Sequence, residues 1–167
     1  MRSPGQSNAA MPQGVARARL LALAVPAVLL GGALVAEYGF GLYPCEMCWW
    51  QRYAHIVALG FAVAAFVVPP ARVWTGFAAG SILASGVIGA FHAGVEYKWW
   101  RGITSCTRIL PTEEGLSPLE SLSNTPMIGC DEPQWTLLGI SLAGYNAIIS
   151  IAGALIVFWL LVRRSRA

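Results

Sequence analysis

Residues 49–68 decide the class of fold, and they read WWQRYAHIVALGFAVAAFVV. Arg52 is the only charged side chain in this run, and about 20 mostly apolar residues in an α-helix cross the roughly 30 Å hydrocarbon core of a bilayer. Further long apolar runs occupy residues 20–36, 73–95 and 135–162. The sequence therefore predicts four membrane-spanning helices.

The composition agrees with this class of protein. Hydrophobic residues make up 56% of the 167 positions and charged residues only 11%, whereas a soluble domain carries about 25% charged residues. The length favours one domain, residues 1–167. A net charge of +3 without a basic patch gives no reason to expect a nucleic-acid partner. The first run is longer than the apolar core of a signal peptide and lacks a good cleavage site, so we expect it to remain as a helix.

The charges separate cleanly between the two sides of the predicted spans. Residues 1–19, 69–72 and 163–167 hold seven basic residues and no acidic one, whereas all eight acidic residues lie in or next to residues 37–48 and 96–134. The positive-inside rule places both termini in the cytoplasm and makes the two acidic segments outer loops. The expected fold is an all-α, integral-membrane four-helix bundle with two extracytoplasmic loops.

The four cysteines all fall in these outer loops. Cys45 and Cys48 form a Cys-x-x-Cys at the mouth of the second span, and Cys106 and Cys130 lie in the long second loop. A bridge across two residues hardly constrains the unfolded chain, so the first pair is more typical of a redox or metal site. Two structural disulfides or a four-cysteine zinc site are the alternatives. The wide spacing of the second pair does not match a zinc knuckle, and we expect no metal.

Polar residues follow the Cys-x-x-Cys on one face of the predicted second helix. Gln51, Arg52 and His55 stand at i+3, i+4 and i+7 from Cys48, positions that share a helix face. An arginine just inside an apolar span is a functional hypothesis by default. Arg52 would stabilise a thiolate on Cys48 or bind the carbonyl oxygen of an electron acceptor. The alternative is an arginine that reaches the headgroups and anchors the helix.

Polar residues in the other spans carry weaker predictions. His92 and Glu96 stand at i and i+4 near the outer end of the third span, either facing the same cavity or bonding one helix to another. We expect Asn146 to form an interhelical hydrogen bond. Glu37 and Glu46 are predicted to be solvated at the surface.

Two further features concern packing. The small residues Gly76, Gly80, Ser85 and Gly89 are predicted to allow close contact of the third helix with its neighbours. In the second loop, residues 117–120 read SPLE, a capping box with proline at the first helical position. With the leucines around it, this stretch predicts a short helix that lies on the membrane surface.

The motif around the first cysteine pair resembles the signature of the DsbB family, the bacterial inner-membrane disulfide bond formation proteins. It reads Pro44-Cys45-Glu46-Met47-Cys48 and continues to Gln51-Arg52, with methionine where the family often has leucine. The order of spans and of cysteine pairs matches over nearly the whole chain. Residues 129–139 also resemble the family, whereas residues 91–96 resemble some members only.

The resemblance implies a route for electrons. A reduced periplasmic oxidase of the thioredoxin fold, of the DsbA type, attacks the Cys106–Cys130 disulfide at Cys106, and Cys130 then exchanges with Cys45. Cys48 passes the electrons to a membrane quinone, either ubiquinone or menaquinone. The expected resting bridges are Cys45–Cys48 and Cys106–Cys130. The candidate quinone-binding residues are Arg52, Cys48, Gln51, His55 and His92.

Two alternatives remain for the function. A vitamin K epoxide reductase-like enzyme also has a Cys-x-x-Cys beside a quinone, but that motif follows its loop cysteines, whereas here it comes first. A non-enzymatic membrane protein with structural disulfides is the alternative from another class, and it predicts neither a quinone nor any dependence on Arg52.

Overall fold

The structure is a computed structural model, and it describes residues 13–104 and 129–163. The described residues form four helices and one small hairpin, and all four helices are long and apolar enough to cross a membrane. The fold is the predicted membrane four-helix bundle. The stretch 117–120, expected to form an interfacial helix, lies outside the described residues. The elements are α1 (Gln13–Phe40), α2 (Glu46–Val67), α3 (Ala71–Glu96), β1 (Thr136–Leu137), β2 (Ile140–Ser141) and α4 (Leu142–Val162).

The first outer loop is shorter than the predicted 37–48. Helix α1 continues to Phe40, because a helix does not have to end where the apolar run ends. Gly41 then adopts a φ of 69°, a left-handed conformation that stops a helix at little cost only in glycine. Its amide donates to the carbonyl of Glu37 at 3.0 Å. The loop is thereby reduced to the few residues before Glu46, where α2 begins.

The predicted fourth span, 135–162, is wrong at its start. The chain first forms the antiparallel hairpin β1–β2, whose two turn residues, Leu138 and Gly139, have φ values of 51° and 77°. Two successive positive φ values are typical of a tight type I′ hairpin turn. Helix α4 begins only after Ser141, whose hydroxyl accepts the amide of Gly144 at 3.1 Å and caps the helix. Hydropathy alone does not reveal this turn, because its residues are as apolar as the helix.

Helix α3 is the centre of the bundle and α1 lies at its edge. In the most apolar window of each helix, 56% of the α3 residues are buried against 11% of those in α1. At the end opposite the cysteines, small side chains such as Ala18, Ala62 and Ala78 pack with Val157 in one cluster. Such small residues let helix backbones approach closely where lipid supplies no hydrophobic driving force.

The close contact of α3 with α4 lies nearer the cysteines than predicted. Gly76 and Gly80, two of the residues expected to make it, have open space where a Cβ atom would stand. A Cβ atom at Gly86 would instead lie 2.8 Å from Cγ1 of Ile151 and 3.1 Å from its backbone nitrogen. Gly89 is equally restricted, by the carbonyl oxygen of Ala143 at 3.0 Å. The helix face that carries Ser85 and Gly89 therefore forms the contact.

Adding a methyl group at Gly86 tests this contact. We expect Gly86→Ala to destabilise the protein by about 1–3 kcal/mol, because the backbone of α4 has to move. This corresponds to a fall of several degrees in the thermal midpoint in detergent, measured by tryptophan fluorescence. Gly80→Ala is the matched control on the same helix and should leave the midpoint unchanged or slightly raised. Equal midpoints for the two variants would contradict the assigned contact.

Candidate functional site

The Cys-x-x-Cys motif forms the first turn of α2. Cys45 is the N-cap residue, and its Sγ accepts the backbone amide of Cys48 at 3.3 Å. The two Sγ atoms are 3.0 Å apart, with the Cys45 thiol donating to Cys48. Both residues are free thiols, which differs from the bridge predicted between them. The hydrogen bond to Cys48 and burial raise the pKa of the Cys45 thiol above its ordinary value, so Cys45 retains its proton.

Cys130 meets this pair from the second loop. The sulfur atoms of Cys45 and Cys130 and a ring nitrogen of His92 all lie within 4.8 Å of one another. Cys130 is buried and disulfide-bonded; Cys106, its predicted partner, lies outside the described residues. A sulfur in a disulfide does not bind a metal as a thiolate does. The cluster therefore places a buried thiol beside a buried disulfide, which is the arrangement that thiol–disulfide exchange requires.

Polar contacts hold the Cys130 segment against the outer end of α3. The ammonium group of Lys98 donates to the backbone carbonyl of Asp131 at 2.6 Å and to its carboxylate at 3.0 Å. This contact with Lys98 holds the pKa of the exposed Asp131 carboxyl below its usual range. Three residues further along the chain, the amide of Gln134 donates to the backbone carbonyl of Tyr43 at 2.6 Å. Both tethers thus lie in the few residues that follow Cys130.

His92 lies directly beside the thiol pair. Its Nε2 atom is 3.5 Å from Sγ of Cys45, and its Nδ1 atom is 3.0 Å from the side-chain nitrogen of Gln51. Glu96, one turn further along α3, lies 3.8 Å from Nε2 and accepts a hydrogen bond from the hydroxyl of Ser141. Both alternatives for the His92–Glu96 pair hold in the structure: the two residues line the same cavity, and they bond α3 to Gln51 of α2 and to Ser141 at the start of α4.

Arg52 points toward α1 rather than toward the sulfur atoms. Its guanidinium forms an ion pair with Glu37 and donates to the carbonyl of Ala33 at 3.1 Å. Both charged side chains are largely buried, at 9% and 13% exposed. The prediction that Glu37 is solvated is therefore wrong, whereas Glu46 is exposed as expected. Sequence reasoning missed Glu37 because its position relative to Arg52 depends on how α1 is rotated.

A cavity of about 370 Å³ joins these groups. Apolar residues of α1, including Val28 and Leu29, form much of its wall, and residues of the hairpin segment and α4, including Trp135 and Leu142, contribute to it. All of the predicted quinone-binding residues line it, together with Cys45 and Glu96. Its polar lining residues include Cys48, Gln51, Arg52, His55, His92 and Asn146.

Comparison with known proteins also indicates disulfide chemistry. The family model described as disulfide bond formation protein DsbB matches residues 16–160. The chain belongs to the DsbB family. It is 33% identical to disulfide bond formation protein B of Polaromonas sp. in an alignment of 168 positions, which covers 94% of this chain and 95% of the relative. The corresponding protein of Azoarcus sp. is 31% identical over 164 residues, with 93% and 97% covered.

No solved structure matches this chain. Membership of the DsbB family, together with four helices that can span a membrane, makes this a multi-pass membrane protein of disulfide bond formation. It is accordingly a disulfide-forming oxidoreductase. The sulfur atoms of its described cysteines, Cys45, Cys48 and Cys130, form one cluster.

The Arg52–Glu37 pair gives a test of the site's electrostatics. We expect Glu37→Gln to destabilise the protein by about 3 kcal/mol, because it leaves the guanidinium buried without its counter-ion. Glu46→Gln, which changes an exposed acid at the same end of the bundle, should have no measurable effect. Thermal unfolding of the two variants in detergent distinguishes them, and a Glu37→Gln midpoint equal to that of the wild type would argue against a buried pair.

Proposed function

We propose that this protein withdraws electrons from a periplasmic dithiol oxidase of the DsbA type and passes them to a membrane quinone. The observation that carries the proposal is the sulfur cluster beside the cavity. Sγ of Cys45 lies 3.0 Å from that of Cys48 and within 4.8 Å of that of Cys130, and Cys48 lines a largely apolar cavity with Arg52.

The electron route consists of three two-electron exchanges. A thiolate of the reduced partner attacks Cys106, so that a mixed disulfide forms and Cys130 leaves; the partner's second thiol then releases Cys106 and completes the partner's disulfide. Cys130 in turn attacks Cys45, and the Cys106–Cys130 bridge closes again as Cys45 and Cys48 become thiols. Oxidation of these two thiols restores the Cys45–Cys48 bridge. Each exchange moves two electrons and two protons.

The free thiols at Cys45 and Cys48, next to a bridged Cys130, correspond to the electron-loaded form of this cycle. The expected resting bridge between Cys45 and Cys48 belongs to the form that follows oxidation. Cys45 is the residue that can exchange in both directions, because its sulfur is near both Cys48 and Cys130.

Energetics require an acceptor of high potential. A DsbA-type oxidase has a reduction potential of about −120 mV, and each 30 mV uphill costs about 1.4 kcal/mol for two electrons. A quinone, when bound, supplies such a two-electron acceptor and leaves as the quinol. Because quinones dissolve in the bilayer, a cavity with apolar walls inside a membrane bundle is a suitable place to bind one.

The residues of the cavity fit a quinone ring. Val28 and Leu29 provide apolar surface, and the guanidinium of Arg52 is the donor we assign to a ring carbonyl. Nδ1 of His55 is buried and has no hydrogen-bond partner among the described residues, so it is available to accept a hydroxyl hydrogen.

Purified protein in detergent tests the route, with a soluble quinone and a reduced DsbA-type protein. Wild type should reduce the quinone, followed by its absorbance, whereas Cys48→Ala and Cys106→Ala should not. With a small dithiol in place of the protein partner, Cys106→Ala should recover activity, because Cys45 and Cys48 are then reduced directly. A wild type that leaves the quinone unreduced while its cysteines stay bridged would refute the proposal.

Arg52 has its own expected effect in the same assay. Arg52→Met should raise the KM for quinone by roughly tenfold or more, the range expected when a charged hydrogen-bond donor is lost. Arg101→Met is the matched control, because Arg101 is exposed and outside the cavity. An unchanged KM in Arg52→Met would remove this residue from the binding site.

We also propose that both termini face the cytoplasm of a bacterial inner membrane and that the cysteines face the periplasm, on the basis of the charge asymmetry. In a variant with all four native cysteines changed to alanine, Ser165→Cys should react with a membrane-impermeant maleimide only after the cells are permeabilised. Thr136→Cys in the same background should react in intact cells. The reverse pattern would invert the topology.

A further inference from the structure

We propose that Asn146 is a positioning residue that fixes the ring of His92 with its Nε2–H on the Cys45 thiol. The inference deepens the proposed function and rests on it for the role of the thiols. It is carried by a chain of hydrogen bonds along the wall of the cavity that starts at His55, passes through the half-buried Asn146 and the buried Gln51 and His92, and ends on the cysteines.

One backbone carbonyl fixes the orientation of Asn146. Its side-chain nitrogen lies 3.2 Å from the carbonyl oxygen of Ser85, and a carbonyl only accepts. The Asn146 amide oxygen must therefore face the other way, where Nε2 of His55 lies at 2.8 Å and the hydroxyl of Ser150 at 3.1 Å. It follows that His55 carries its proton on Nε2.

Gln51 is held at both ends of its amide, by the Met47 carbonyl and by Asn146. The side-chain nitrogen of Gln51 donates to the carbonyl of Met47 at 3.1 Å, so its oxygen is the atom that accepts from Asn146 at 2.7 Å. The same nitrogen lies 3.0 Å from Nδ1 of His92. Since that nitrogen is a donor, Nδ1 of His92 has to accept, and the ring proton resides on Nε2, which faces Sγ of Cys45 at 3.5 Å.

All donors in the chain therefore point the same way. His55 donates to Asn146, Asn146 to Gln51 and Gln51 to His92; His92 donates to Cys45, and Cys45 donates to Cys48. Aligned hydrogen bonds in a medium of low dielectric constant strengthen one another. This chain of hydrogen bonds ends on Cys48, which lines the cavity. There it stabilises negative charge that develops on the Cys48 sulfur.

Helices α2, α3 and α4 meet at the Asn146–Gln51 hydrogen bond. Gly89 of α3 lies directly against it, and a Cβ atom there would stand 2.9 Å from the side-chain nitrogen of Asn146 and 3.1 Å from the side-chain oxygen of Gln51. His55, Gln51 and His92 are each at most 6% exposed. Rotating any amide in the chain would leave a buried donor or acceptor unpaired, at a cost of about 1–3 kcal/mol for each group.

The ring nitrogens of the histidines can be observed directly, because the chain contains only two. In protein labelled with ¹⁵N-histidine and reduced at Cys45 and Cys48, without quinone or partner, we expect both rings to be Nε2–H tautomers. His55→Gln assigns the spectrum by removing one set of signals. In Asn146→Leu, which keeps the volume and removes the amide, the side-chain oxygen of Gln51 loses the donor that holds it. The Gln51 side chain can then turn away from His92, and His92 should become a mixture of tautomers. Ser150→Ala, which only removes a second donor to Asn146, should leave His92 unchanged.

A kinetic measurement accompanies the spectra. Alkylation of Cys48 by iodoacetamide at neutral pH, read by mass spectrometry, should slow about fivefold in Asn146→Leu, which is the effect of weakening one hydrogen bond. The rate at high pH, where the thiol is ionised in every variant, should not change. A fall at high pH as well would indicate a loosened site and would count against a positioning role.

The proposal is overturned if His92 in the wild type carries its proton on Nδ1, or if Asn146→Leu leaves its tautomer and the alkylation rate unchanged. The wild-type spectrum decides even if Asn146→Leu fails to fold. Because neither measurement contains quinone or oxidase, a failed quinone assay with the expected tautomers would reject the proposed function alone.

Discussion

The sulfur of Cys45 accepts the amide of Cys48, so the second helix begins on its own reactive thiol. An N-cap side chain has a restricted position, because it must reach the free amides of the first turn. Cys48 is consequently held one turn into the helix, 3.0 Å from Cys45. His92, Cys130 and the cavity are all arranged around this fixed pair.

The interior of the bundle is divided along its length. At one end, alanine-rich faces pack against Val157 and Leu161, and the hydroxyl of the buried Thr75 donates within its own helix. Toward the cysteines, side chains such as Gln51, Ser85 and His92 are buried with their hydrogen bonds formed inside the protein. Lipid offers no partner for a buried polar group, so these residues determine how α2, α3 and α4 are rotated about their axes. The geometry of the thiol pair depends on that rotation.

The helices and the place of the cysteine pair at the start of α2 were predictable, because hydropathy and the Cys-x-x-Cys spacing are local properties of the chain. Asn146 also behaves as predicted, since an amide in an apolar span has to bond across helices. The partner of Arg52, the residues at the α3–α4 contact and the hairpin before α4 were not predictable. Glu37, Gly86 and Leu138 owe their roles to helix rotation and to a backbone turn, neither of which changes the hydropathy pattern.

The tethers beside Cys130 affect the rate of the thiol–disulfide exchange that occurs there. Lys98 and the Tyr43 carbonyl hold the residues that follow Cys130, and the Cys130 sulfur lies within 4.8 Å of Cys45. A reaction between groups held in this way has an effective molarity far above any attainable concentration, up to about 10⁵–10⁸ M when the alignment is good. Exchange between the two loops is first-order and independent of protein concentration because both belong to one chain, and the tethers make it faster. Only the reaction with an external thiol is bimolecular and depends on concentration.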